Sequence, residues 1–228
     1  MNILKKTNMK IIKILLLLVL IATIGCTKKT VQIPVFSVPG IQDTIYDNSQ
    51  IWMFLEVKDG DTIATLNRKN SISTTSWIFN IDKKLPMHLV IPHLEKLIEK
   101  REKPSLHQKD EDDFNYFSYV DSDSGLLSLV QFDVIYFDKN KVLNHIDFAK
   151  DTIKKHLVLD YNTNQLTIND SLVPFNNLNT YIQKLSSTMK MKVHLNFDAN
   201  IKYQNYLELK AQLQNNMEIE LDTIEYVY

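Results

Sequence analysis

A single cysteine, Cys26, stands in these 228 residues, directly behind a leader with four lysines (Lys5, Lys6, Lys10, Lys13), no acid, and an apolar run from Ile14 to Ile24 broken only by Thr23. Whatever follows Cys26 can form no internal disulfide, so packing alone has to hold its fold. A basic start, a short apolar stretch and small residues before a cleavage point form the layout of an export signal. Cleavage before Cys26 removes 25 of the 228 residues and leaves 203, enough for one large domain or two small ones. The run from Ile11 to Gly25, with Lys13 inside it, is shorter than the roughly 20 apolar residues that cross about 30 Å of hydrocarbon. An uncleaved transmembrane anchor is the alternative.

Thr23-Ile24-Gly25-Cys26 resembles the lipobox recognised by signal peptidase II, with Thr23 where that box prefers Leu. The resemblance implies a diacylglyceryl group on Cys26, which gives the lone thiol a use. Lys28 and Lys29 follow where surface-directed lipoproteins of Bacteroidota carry acids, so the expected location is the cell envelope, lipid-anchored to a bacterial membrane and facing the periplasm. Four of the 26 basic residues belong to the leader, which leaves 22 against 27 acids and a mature charge of −5. That sign argues against a nucleic-acid partner, whose binding needs a basic stripe.

Residues 26–50 hold Pro34, Pro39, Gly40 and Asp43 to Asn48 among scattered apolar residues and are expected to form a tether. Ile51–Val57 and Thr62–Leu66 flank Asp59-Gly60, the best hairpin signal in the chain. Ser76–Ile81 is a further strand, and a helix follows Leu85-Pro86 with Val90, Leu94, Leu97 and Ile98 at helical spacing. Lys100 to Asp113 is a charged excursion, Leu126–Phe137 a long β-prone stretch, and Val142–Phe148 another strand after a turn. These elements make residues 51–150 an α+β region of unassigned role. In 156–228 the order is strand (His156–Tyr161), strand (Gln165–Asn169), helix after Pro174, half-buried strand (Lys192–Phe197), helix (Tyr203–Leu213) and strand (Met217–Ile224). The fold class expected is therefore α+β, with small mixed sheets covered by helices.

Leu166-Thr167-Ile168-Asn169-Asp170 with Val173-Pro174, then Val193 to Asp198, then Tyr203 and Leu207 together resemble the periplasmic domain of the ExbD/TolR family of biopolymer-transport proteins. The resemblance covers 156–228 and implies a βαβ domain that contacts a peptidoglycan strand or a TonB-like protein, with dimerisation. It places Asp198, Tyr203 and the neighbouring Asn196 and Asn200 in the contact region. The family carries a membrane-embedded Asp for proton coupling, whereas Met1 to Gly25 contains no acid. The family's Gly before the last strand is replaced by Asn215-Asn216, and Asn is the residue after Gly that best tolerates a left-handed backbone.

Ser76 to Asp82 followed by Leu85 and a helix parallels Lys192 to Asp198 followed by Ile201 and a helix, 116 residues apart. Chance accounts for two such junctions as well as duplication does; a true repeat would mean two related lobes.

Convergent reactive chemistry is absent from the sequence pattern. His88 and His93 straddle Pro92 on different helix faces and fit no zinc motif; His107, His145, His156 and His194 are scattered singly. Asp121-Ser122-Asp123-Ser124-Gly125 begins like a calcium loop but continues into Leu126 and Leu127, as an ordinary turn would. No glycine-rich phosphate loop or Gly-x-Ser-x-Gly elbow occurs, and Asp110 to Asp113 suits a solvated run. Neither a metal nor another cofactor is expected. Phe114, Tyr116, Phe117 and Tyr119 form the densest aromatic cluster, either a strand with aromatics on both faces or a contact patch. The expected function is that of a non-catalytic, lipid-anchored binding or accessory module of the envelope. The alternative is an ExbD-like transmembrane subunit of a proton-driven transport complex with an ExbB-like partner.

Overall fold

The structure, a computed structural model, describes residues 29–67, 71–103, 114–139, 155–163, 165–185, 191–216 and 219–228. The expected strand at Val142–Phe148, the acidic run at 110–113 and Cys26 itself lie outside them. The described elements form two mixed β-sheets with helices packed against them, the α+β class.

The first sheet contains β1 (Val35–Phe36), β2 (Asn48–Lys58), β3 (Asp61–Leu66), β4 (Ser76–Ile81), β5 (Asn115–Asp121) and β6 (Leu127–Phe132). Their order is β1-β5-β4-β2-β3, with β6 paired to β5. β2, β4 and β5 run parallel; β3 and β6 return antiparallel. The β2–β3 hairpin turns on Asp59 and Gly60 at φ 54° and 92°, the doubly positive backbone of a type I′ turn, which is why Asp-Gly stands there. Helix α1 (Met87–Glu102) follows β4 and buries Val90, Leu94, Leu97 and Ile98 as the spacing predicts. Pro92 is accommodated inside it.

The second sheet contains β7 (Tyr136–Asp138), β8 (Lys155–Tyr161), β9 (Leu166–Ile168), β10 (Ser171–Leu172), β11 (Met191–Phe197), β12 (Ile219–Leu221) and β13 (Ile224–Val227). The order is β10-β9-β8-β11-β13-β7, with β12 also beside β11. Helix α2 (Leu178–Leu185) follows a 3₁₀ turn at Phe175–Asn177, and α3 (Tyr203–Gln214) precedes β12.

Three expectations need correction. Residues 34–50 are no tether: Phe36 and Val38 are buried in the core, Val35 pairs with Val120, and Ile41 bridges Leu129. The stretch Leu126–Phe137 is two strands in different sheets, separated at Asp133 to Ile135, so the region 51–150 lends β7 to the second sheet. Val31–Tyr228 accordingly form one unit. The last strand is divided at Asp222-Thr223, and Asn215 ends α3 at φ −74°, a right-handed cap rather than a left-handed one. Of the two readings of the aromatic cluster, the strand with aromatics on both faces holds: Phe117 and Tyr119 enter the main core, and Tyr116 with the partly buried Phe114 packs in a smaller cluster on the other face.

The 116-residue correspondence is a real spatial relation. Met87 N–H donates to Ile201 O at 2.9 Å and Tyr203 N–H to Leu85 O at 2.8 Å. His88 N–H donates to Ala199 O at 2.8 Å and Gln204 N–H to Lys83 O at 3.2 Å. Every donor and acceptor has its counterpart 116 positions away, so the two strand-to-helix junctions meet about a local pseudo-twofold axis, marked by the Pro86–Lys202 bridge. Beside this junction the core is shared. Phe117 stacks on Phe132 with centroids 4.0 Å apart and meets Tyr203 and Tyr206 of α3 edge-on at 5.9 and 6.5 Å. Each such side chain contributes about 1.5–3 kcal/mol by burial, so neither lobe is complete alone.

Candidate functional site

Parallel pairing of β8 with β11 sets His156 opposite Lys192, Val158 opposite His194 and Asp160 opposite Asn196. Side chains alternate along a strand, so these residues share one face of the second sheet, while Leu157, Leu159, Val193, Leu195 and Phe197 fill the core on the other. The expectation of a half-buried β11 is therefore incomplete. His194 and Asn196 are as buried as the apolar residues between them, at 3% and 0% exposure. Buried polar groups need partners, and most of this row is built from them.

One end is an ion and proton chain. His194 Nδ1 lies 2.7 Å from Asp222 Oδ2, and His194 Nε2 lies 2.8 Å from His156 Nδ1. A carboxylate only accepts, so His194 donates from Nδ1; its Nε2 is then the acceptor for His156 Nδ1–H. Lys192 Nζ holds the other Asp222 oxygen at 3.2 Å. Burial pulls the His194 ring below the ordinary imidazole range, Asp222 works against that, and His156 and Lys192 reinforce it. Burial raises the Asp222 carboxyl, but Lys192 and His194 outweigh it and hold it below the usual range. The arrangement fixes both tautomers and can pass a proton between His156 and Asp222 through His194.

The other end is Asp160, which accepts Asn196 Nδ2–H at 2.9 Å and Tyr228 Oη–H at 2.6 Å. Burial, then the Asp160 contact, pushes the Tyr228 phenol well up. Asn196 Oδ1 is buried without a partner. Its counterpart Asn80 is fully engaged: Nδ2 donates to Gln50 Oε1 at 2.7 Å and Oδ1 accepts Ser118 Oγ–H at 2.8 Å. The two sheets thus place an asparagine at the same point, one in a neutral network and one beside a carboxylate.

The residues expected to contact a partner separate into two groups. Asp198 and Asn200 lie at the surface turn after β11, where Asp198 Oδ1 accepts Asn200 N–H at 2.8 Å and Asn200 Nδ2–H at 3.0 Å. Asn196 and Tyr203 are wholly buried, and the Tyr203 hydroxyl has no partner. Burial drives the Tyr203 phenol far up. Direct contact by these two side chains is corrected accordingly: β11 and α3 turn them inward, away from the surface. Nothing local in the sequence signals the His156–His194–Asp222 chain, since its members are 38 and 28 positions apart; the pairing of β11 with β8 on one side and with β12 on the other unites them. Among the described residues no group of three or more His, Cys, Asp or Glu is placed to hold a metal ion, and no helix is long and apolar enough to cross a membrane.

No family model matches the chain, and neither a curated protein nor a solved structure does.

Proposed function

We propose that the protein is a lipid-anchored, non-catalytic module of the bacterial cell envelope, facing the periplasm and binding another envelope component. The observation that carries this reading is spacing: Pro34, the first buried residue of the body, follows the lipobox-like Cys26 by eight positions. Fully extended, eight residues reach less than about 30 Å, so the body works close to its bilayer. The order after His156, three strands, a helix, a strand, a helix and a final strand divided in two, supports an ExbD/TolR-like lobe, and hence a peptidoglycan strand or a TonB- or ExbB-like protein as partner. Contact then runs through Asp198 and Asn200, not through the buried Asn196 and Tyr203.

The test is the mass of the mature N-terminus, with and without a signal peptidase II inhibitor and beside Cys26→Ala. A diacylated Cys26 that vanishes in both controls is expected. An intact Met1 would sink the lipoprotein reading and favour the transmembrane transport subunit.

A further inference from the structure

We infer that the cleft between β6 and the C-terminal end of α3 is a binding site for a protonated primary amine carried on a small, hydrogen-bonding body. The cleft holds about 530 Å³ and is walled by Pro39 to Ile41, Leu129 to Asp133, and Ala211, Gln214 and Asn215, a size suited to a small-molecule ligand. It lies on the seam where the N-terminal segment, the first sheet and α3 meet.

Its lining combines side-chain amides with a negative charge balance. Gln214 Nε2–H donates to Gln131 O at 2.9 Å and Asn215 Nδ2–H to Pro39 O at 2.6 Å. Each amide thereby spends one of its two donors on the backbone, which fixes its orientation and leaves its oxygen as an acceptor beside one further N–H. Asp133 adds an exposed carboxylate, and the end of α3 contributes the partial negative charge of a helix C-terminus. Among the described residues that line the cleft there is no cation. Acceptors, a carboxylate and a negative helix end favour a donor-only, positively charged group, and a charge-assisted bond to Asp133 is the strongest single contact available.

The wall is fixed in place. A Cβ at Gly40 would sit 2.1 Å from Tyr119 Oη and 3.0 Å from Leu129 O, so only glycine lets this segment lie against β6. The Tyr119 hydroxyl donates to Val38 O at 2.7 Å, and Ile41 exchanges backbone bonds with Leu129 at 3.0 and 2.8 Å. The cleft is therefore preformed, which lowers the ordering cost of binding.

The inference deepens the binding-module reading, and the two fail separately: the anchor assay reads Cys26, whereas amine binding is measured on the folded body. The experiment titrates the ¹⁵N-labelled full chain in detergent with glucosamine and cadaverine, and with N-acetylglucosamine as the neutral comparison. Saturable shifts at the amides of Gly40, Gln131 and Asn215 are expected with both amines, with at least tenfold weaker response to the acetylated sugar. Asp133→Asn, at an exposed position, should weaken the amines at least tenfold while the remaining spectrum is unchanged. Gln131→Lys, which brings a competing ammonium to the cleft, should abolish the shifts. Equal binding of the neutral sugar, shifts confined to other regions, or Asp133→Asn and Gln131→Lys proteins that bind like the parent would overturn the site.

Discussion

Met87 and Ile201 share a backbone hydrogen bond that Tyr203 and Leu85 repeat in reverse, 2.9 Å in one direction and 2.8 Å in the other. Two junctions distant in sequence thus close on each other like the halves of an isologous dimer interface, within one chain. Leu85 and Ile201, at 0% and 1% exposure, sit at matching points of it.

If this junction makes the lobes one cooperative unit, Leu85→Ala should cost about 2–5 kcal/mol and speed amide exchange in β11 as much as in β4. Native-state hydrogen exchange reads both strands in one sample. Faster exchange confined to β4 would show that the lobes open independently.

The His194 ring gives a pH dependence of definite sign. Its folded pKa lies below the ordinary 6.5, so the unfolded chain takes up a proton that the folded chain refuses. The stabilisation is complete above about 6.5 and is lost as pH falls below that value toward the folded pKa, at about 1.4 kcal/mol per unit of difference. Asp222, held below 3.8, contributes no loss until far lower pH. Urea midpoints at pH 8 and pH 5.5 should differ in the parent and converge in His194→Gln; an undiminished difference in the variant would place the titration elsewhere.

Lys210 and Glu225 form an ion pair buried to 4% and 3% exposure, and Glu225 also accepts Tyr206 Oη–H at 2.8 Å. Lys210→Met should destabilise by about 3–5 kcal/mol, because it strands a buried charge. Adding Glu225→Gln keeps an acceptor for Tyr206 and removes that charge, so the double variant should recover most of the loss. Thermal unfolding of the two proteins side by side decides it; a double variant no more stable than Lys210→Met would show that packing, not charge, sets the cost.

Gly40→Ala should cost about 1–3 kcal/mol through overpacking, since the new methyl meets the Tyr119 hydroxyl. Burial, eased a little by Ser128, pushes the Tyr119 phenol up to about 12. Loosening the segment should lower that value, which an ultraviolet phenolate titration would register. An unaltered titration together with parental stability would mean that the segment shifts freely.

Local patterns in the sequence determined much of this fold. Asp59-Gly60 carries its hairpin because few residues adopt two positive φ angles, and Val90, Leu94, Leu97 and Ile98 announce α1 because helical spacing puts them on one face. The α+β class follows from such periodicities. Tertiary structure alone decided what lies next to what. Strand register brought His156 to His194, and the pseudo-twofold junction turned Tyr203 inward although its sequence neighbours reach the surface. It also drew Val35–Phe36 out of an expected tether, because the edge of β5 beyond β4 offered unpaired backbone groups and a core position for Phe36. A sequence specifies which residues favour burial; long-range pairing determines which faces are covered and which polar groups must find one another there.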